Sequence, residues 1–203
     1  MKRLGLIDIG SNTIRLVIFE YSKDTGLNEL QNVKTPARLS QYLEEDKTMN
    51  KDGINILVET LNSFKKVAEK FQVEELVPAA TAAVRQSKNI DEIIKSVKDK
   101  TNLDIEIIPE QDEAFYGFYA ATHTLNINNG ITVDIGGGST EITYFEDKKL
   151  KEAISFPFGV VTLEKIFFSD KDHNDKNAIK KCEKYVKEQF ESEKWIKDKN
   201  VPI

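Results

Sequence analysis
Apolar residues fall in short runs and in helically spaced sets, and their order predicts an α/β chain. Residues 4–9 and 14–19 are apolar runs broken by Gly10 and Ser11, which reads as two strands joined by a tight turn. A weaker third strand is expected around 30–33. Ile54, Leu57, Val58, Leu61, Phe64, Ala68 and Phe71 then share one helical face, with Asn50 or Asp52 as its N-cap. Residues 76–80 read as a buried strand, and Ile90, Ile93, Ile94 and Val97 mark the next helix. A strand at 103–108 and a short helix at 110–121, with Ala114, Phe115 and Phe118 inward, complete this half.

The polar stretch 126–130 is the best boundary, giving a first lobe at 1–125 and a second at 126–203. After it the pattern restarts with strands at 131–135, 140–145 and 150–156 and a helix from about Gly159. One echo accompanies the restart: Ile-Asp-Ile-Gly-Ser at 7–11 and Val-Asp-Ile-Gly-Gly-Gly-Ser at 133–139. An internal duplication of two lobes facing one cleft is the natural inference. The second lobe reads as truncated. Residues 169–200 hold 17 charged side chains in 32 positions, with a thin seam at Ile179, Cys182, Val186 and Phe190, which predicts one long, mostly exposed helix. A sheet that stops at three strands leaves a free edge, so self-association, at its simplest a homodimer, is expected.

Composition narrows the setting. Apolar residues make up 39% and charged residues 31% of the 203, which excludes wholesale disorder. No apolar run approaches the roughly 18 to 20 residues of a membrane helix. The first apolar run reaches Asp8 too early for a signal peptide, and the lone Cys182 fits a reducing cytoplasm. A net charge of −5 argues against a nucleic-acid partner. The four arginines, Arg3, Arg15, Arg38 and Arg85, all precede residue 86, while lysines run to the end. Arginine's planar fork suits phosphate, although surface arginines in a lysine-rich protein would leave the same distribution.

The chemistry concentrates in four segments. In Asp8-Ile9-Gly10-Ser11-Asn12-Thr13 an acid ends a strand, and the amides and hydroxyls that follow can cradle an anion; the same residues also make an ordinary hairpin turn. Arg15 lies on the second strand and could supply positive charge. Asp134-Ile135-Gly136-Gly137-Gly138-Ser139-Thr140-Glu141 is more specific, because three consecutive glycines cost backbone entropy that a plain turn does not need. They permit a bare-amide loop against an anion, with Asp134 and Glu141 flanking it as candidate Mg²⁺ ligands. Neither a Walker A nor a dinucleotide fingerprint is present. Arg85, in Ala80-Thr81-Ala82-Ala83-Val84-Arg85, follows a strand's carboxyl end and could clamp phosphate or simply face solvent. Glu110, Asp112 and Glu113 open a helix; acids there complement the helix dipole, and one could also take a proton from attacking water.

Together these segments resemble the exopolyphosphatase and guanosine pentaphosphate phosphatase family, within the superfamily of actin, sugar kinases and chaperone ATPases. The resemblance covers residues 4–165 and rests on 8–15, 80–85, the Glu113-Ala114 pair, 134–141 and Ser155-Phe156-Pro157-Phe158-Gly159, all in the family's order. It implies two ribonuclease-H-like lobes and Mg²⁺-dependent hydrolysis of a terminal phosphoanhydride in inorganic polyphosphate or guanosine pentaphosphate. By this resemblance Glu113 is the general base, and Asp134 and Glu141 bind Mg²⁺ with Asp8 assisting. Ser11, Asn12, Thr13, Gly136, Gly137, Gly138 and Ser139 hold phosphate oxygens, and Arg15 and Arg85 neutralise charge. The sequence departs from the family at three places. Glu110 and Asp112 crowd the glutamate motif, Val161-Thr162-Leu163 lacks an expected arginine, and a late glycine-rich motif is missing. A non-catalytic polyphosphate- or nucleotide-binding regulator, or an inactive fragment of a longer enzyme, is the competing expectation.

Overall fold
The computed structural model describes residues 1–24, 26–169 and 171–197. Its contacts divide the chain into two compact units, Met1–Pro109 and Glu110–Ile203. This boundary precedes the helix at 110, which the sequence pattern groups with the first lobe.

In the first unit β1 (Lys2–Ile9) and β2 (Ile14–Ser22) form the expected hairpin, and β3 (Gly26–Thr35) pairs with β2 over more residues than the apolar pattern marks. A helix α1 (Lys51–Lys70) then returns the chain to β4 (Glu75–Ala80), parallel to β1. Asn50 is the N-cap, accepting from the amide of Gly53. A four-residue α2 (Ala82–Arg85), α3 (Ile90–Thr101) and β5 (Glu106–Ile107) follow. The sheet order β3-β2-β1-β4-β5 is that of a ribonuclease-H-like lobe. Ile7, Ile9, Ile14, Leu16 and Ile18 from one sheet face and Leu57, Leu61, Phe64, Ile93 and Val97 from the helices close a single core.

The strand expected at 103–108 shrinks to two residues paired with Ala79 and Ala80. The turn leaving α3 takes the rest: Thr101 Oγ1 accepts from Leu103 N, and Lys98 holds Asp104 at 2.7 Å.

The second unit begins with α4 (Glu110–Thr124), which packs across β6 (Gly130–Ile135), β7 (Thr140–Glu146) and β8 (Lys149–Phe156). Ala114 and Phe118, four residues apart, face the sheet, whereas Phe115 is 41% exposed, contrary to the inward position expected for it. One residue advances a helix by about 100°, which carries Phe115 off the buried stripe. The strands form one antiparallel sheet with β7 central and buried. After α5 (Val160–Phe167), the expected single long helix is instead α6 (Lys176–Glu191) and a separate α7 (Lys194–Lys197). Asp175 sets the later start by accepting from the amides of Asn177 and Ala178. Asp170 and residues 198–200, which that expectation includes, lie outside the described residues. Val186, Phe190 and Trp195 pack against Ile131, Ile142, Tyr144, Phe156 and Phe158. Among the described residues no counterpart of β4 or β5 pairs with β6, which forms an edge of this sheet.

Candidate functional site
The two hairpins match in register, residue for residue and without a gap. In the first, Asp8 faces Arg15 and Ile9 faces Ile14; in the second, Asp134 faces Glu141 and Ile135 faces Thr140. Each tip is four residues, closed by Gly10 N donating to Thr13 O at 3.1 Å and Gly136 N donating to Ser139 O at 3.0 Å. Gly137 and Gly138 therefore occupy the places of Ser11 and Asn12, and Ser139 that of Thr13.

Both tips are anchored through their carbonyl groups. In the first unit Ser40 N donates to Ser11 O at 3.0 Å and Arg38 N to Asn12 O at 2.8 Å. In the second, the first turn of α5 does this work: Val160 N reaches Gly136 O at 3.0 Å, and Val161 N and Thr162 N reach Gly137 O at 3.0 and 3.2 Å. A Cβ on Gly159 would lie 2.2 Å from Gly136 O, so glycine is required there by the close passage of two backbones. With the carbonyls engaged, the amides of Ser11, Asn12, Gly137 and Gly138 donate to no backbone acceptor among the described residues. Consecutive spare amides at a turn are an anion-binding arrangement.

The acidic side chains of the second unit converge. Glu141 is buried and accepts a 2.7 Å hydrogen bond from Ser155 Oγ. Burial raises its carboxyl above the usual glutamate range, and the neighbouring Glu113 and Asp134 charges add to the rise, against the lowering hydrogen bonds of Ser155 and Ser139. Asp134, directly opposite Glu141 in register, is exposed, and Glu113 is half-buried in the first turn of α4. Like charges opposed across a sheet are unfavourable, so this pair suits a cation. No group of three or more His, Cys, Asp or Glu is poised as a metal cage among the described residues. Magnesium is commonly held by one or two carboxylates together with substrate phosphates, and Asp134 and Glu141 fit that requirement with hard oxygen donors.

The other expected residues are placed as follows. Ser11 is buried, Asn12 and Asp8 are exposed, and Thr13 is partly exposed. Arg15 is half-buried, its Nε bonding Asn32 Oδ1 at 2.9 Å on β3. Arg85 Nη1 donates to Ile108 O at 2.8 Å. Ser139 is buried with its hydroxyl on Glu141. Thr162, standing where an arginine was expected, lies against the Gly137 carbonyl, and Glu110 and Asp112 are exposed. Sequence reasoning assigned no role to Ser155 or Gly159, although both lie in the Ser-Phe-Pro-Phe-Gly segment it singled out.

Comparison with known proteins shows the family. The family model of the Ppx/GppA phosphatase family matches residues 17–201. "Exopolyphosphatase 1" of Mycobacterium tuberculosis is 28% identical over 170 residues, which cover 83% of this chain and 49% of that protein. "Guanosine-5'-triphosphate,3'-diphosphate pyrophosphatase" of Vibrio vulnificus is 26% identical over 172 residues, covering 84% of this chain and 34% of its own length. The crystal structure of the Aquifex aeolicus member of the Ppx/GppA family superimposes with a TM-score of 0.72 at 32% identity, covering 93% of this chain and 61% of that one. The chain thus spans half or less of these two curated relatives. With its two α/β units, paired hairpin tips and motif order, the chain belongs to the Ppx/GppA phosphatase family.

Proposed function
We propose that the chain is a phosphohydrolase that releases terminal phosphate from inorganic polyphosphate or guanosine pentaphosphate by Mg²⁺-assisted attack of water. The observation behind this is the trio Glu113, Asp134 and Glu141 beside a glycine tip whose amides are spare. Glu113, at the start of α4, is assigned the proton of the attacking water. The amides of Gly137 and Gly138 receive negative charge that grows on the transferring group. In the first unit Ser11, Asn12, Thr13, Arg15 and Arg85 are assigned to oxyanion binding, and Asp8 to a supporting acidic role. Mg²⁺ held by Asp134 and Glu141 would neutralise phosphate oxygens. The names of the relatives support both substrates and do not choose between them. A cytoplasmic setting, consistent with the single Cys182, belongs to the same proposal; no described helix is long and apolar enough to cross a membrane.

The test is phosphate release from each substrate with Mg²⁺, run beside Glu113→Gln. The variant is expected to lose roughly 10²- to 10⁴-fold in turnover while keeping its substrate affinity. Binding by the parent chain without any turnover would instead favour the non-catalytic reading.

A further inference from the structure
We propose that Arg38 is an oxyanion-binding residue of the first unit, its guanidinium taking oxygens of a condensed phosphate seated at the Ser11–Asn12 tip. The inference rests on the phosphate-handling reading above and adds a residue that the family motifs left unassigned.

Its backbone fixes its place. Arg38 N donates to Asn12 O at 2.8 Å, and Ser40 N donates to Ser11 O at 3.0 Å, so the side chain springs from the segment that anchors the tip. The Oγ of Ser40 is buried in this segment and has no partner among the described residues.

Its side chain is uncommitted. Arg3 is held by Glu20 and by the Phe71 carbonyl, Arg15 by Asn32, and Arg85 by the Ile108 carbonyl. Arg38 is exposed, and among the described residues its guanidinium makes no hydrogen bond or ion pair. Its whole fork of donors thus remains available to a ligand, whereas each of the other three arginines has at least one guanidinium nitrogen bonded within the fold.

Its conformation is costly. Arg38 sits at φ 50 and ψ 43, the left-handed region that glycine or asparagine occupies with less strain. Other non-glycine residues with positive φ have local reasons. Lys47 is in a tight turn, Gln72 and Asn102 follow helices, and Asp147 and Lys148 form the β7–β8 turn. Arg38 precedes a single 3₁₀ turn, Leu39–Tyr42, and glycine would serve that backbone better. Strain retained beside a binding loop points to the side chain as the reason for it.

The experiment measures binding of inorganic tripolyphosphate by calorimetry, with melting temperatures, for the 203-residue chain and its Arg38→Gly, Arg38→Lys and Lys66→Gln variants. Arg38→Gly is expected to melt no lower than the parent, because glycine relieves the strain, and to bind about tenfold more weakly or worse. Arg38→Lys should recover part of the affinity, as a point charge without the fork. Lys66→Gln, which removes one exposed charge from α1, should stay within about twofold of the parent because remote charges are screened.

Parental affinity in Arg38→Gly overturns the proposal. So does an equal loss in Lys66→Gln, which would make the effect one of net charge. Loss of binding together with a lowered melting temperature assigns Arg38 to loop structure and overturns it as well. A parent chain that binds no tripolyphosphate removes both this proposal and the reading beneath it, whereas an unaffected Arg38→Gly beside a binding parent removes this one alone.

Discussion

Glu141 carries an electrostatic load that its counterpart in the first hairpin does not. Arg15 opposes Asp8, so that pair is neutral, while Glu141 opposes Asp134 with Glu113 nearby. Its carboxyl is raised, so the folded chain holds this proton more tightly than the unfolded chain does. Stability must then fall as pH rises from the ordinary glutamate range through the raised value, and remain lower above it. In metal-free buffer Glu141→Gln should therefore melt a few degrees above the parent at neutral pH, with the gap closing in acid below the ordinary range. Added Mg²⁺ should raise the parent's melting temperature and leave the variant's nearly unchanged, as thermal scans would read. The acids and glycines of this site were legible because a strand, an acid and a glycine run are adjacent in sequence. Ser155 was not, since its bond to Glu141 comes from cross-strand register, which a motif does not specify.

Secondary-structure elements position these residues through backbone contacts as much as through side chains. Gly159 is the clearest instance, because its missing Cβ is what lets the first turn of α5 reach the Gly136 and Gly137 carbonyls. Gly159→Ala should cost about 1–3 kcal/mol in chemical denaturation, typical of an overpacked contact, and should abolish anion binding at the second tip. Periodicity located most helices and strands correctly, and of the two candidate caps for α1 it is Asn50 that serves. It failed where the outcome depends on partners. The strand at 106–107 is cut short by the turn leaving α3, and the charged run breaks into two helices near Ser192. The placement of α4 was hidden for the same reason: its polar sequence allows either unit, and packing of Ala114 and Phe118 on β6–β8 decides.

Across the whole chain the two hairpins match in register yet are unequally covered. Ile7 and Ile9 are 1% and 0% exposed between β2 and β4, while their equivalents Val133 and Ile135 are 43% and 58% exposed on the edge strand β6. Amide exchange should accordingly be slower at Ile7–Ile9 than at Val133–Ile135 in dilute solution. Self-association through this edge would appear as growing protection of β6 as protein concentration is raised, and unchanged exchange would exclude it. The repeat itself could be read from the echo at 7–11 and 133–139, but its alignment could not, because only the tip closures show that Ser11 corresponds to Gly137. Those closures, and the shorter ties that bind each tip to a neighbouring segment, use peptide groups. Peptide groups are present whatever side chain a position bears. The shape of each loop can therefore persist while the surrounding residues drift, provided no substituent blocks the approach, so two proteins with little wording in common can keep the same grip.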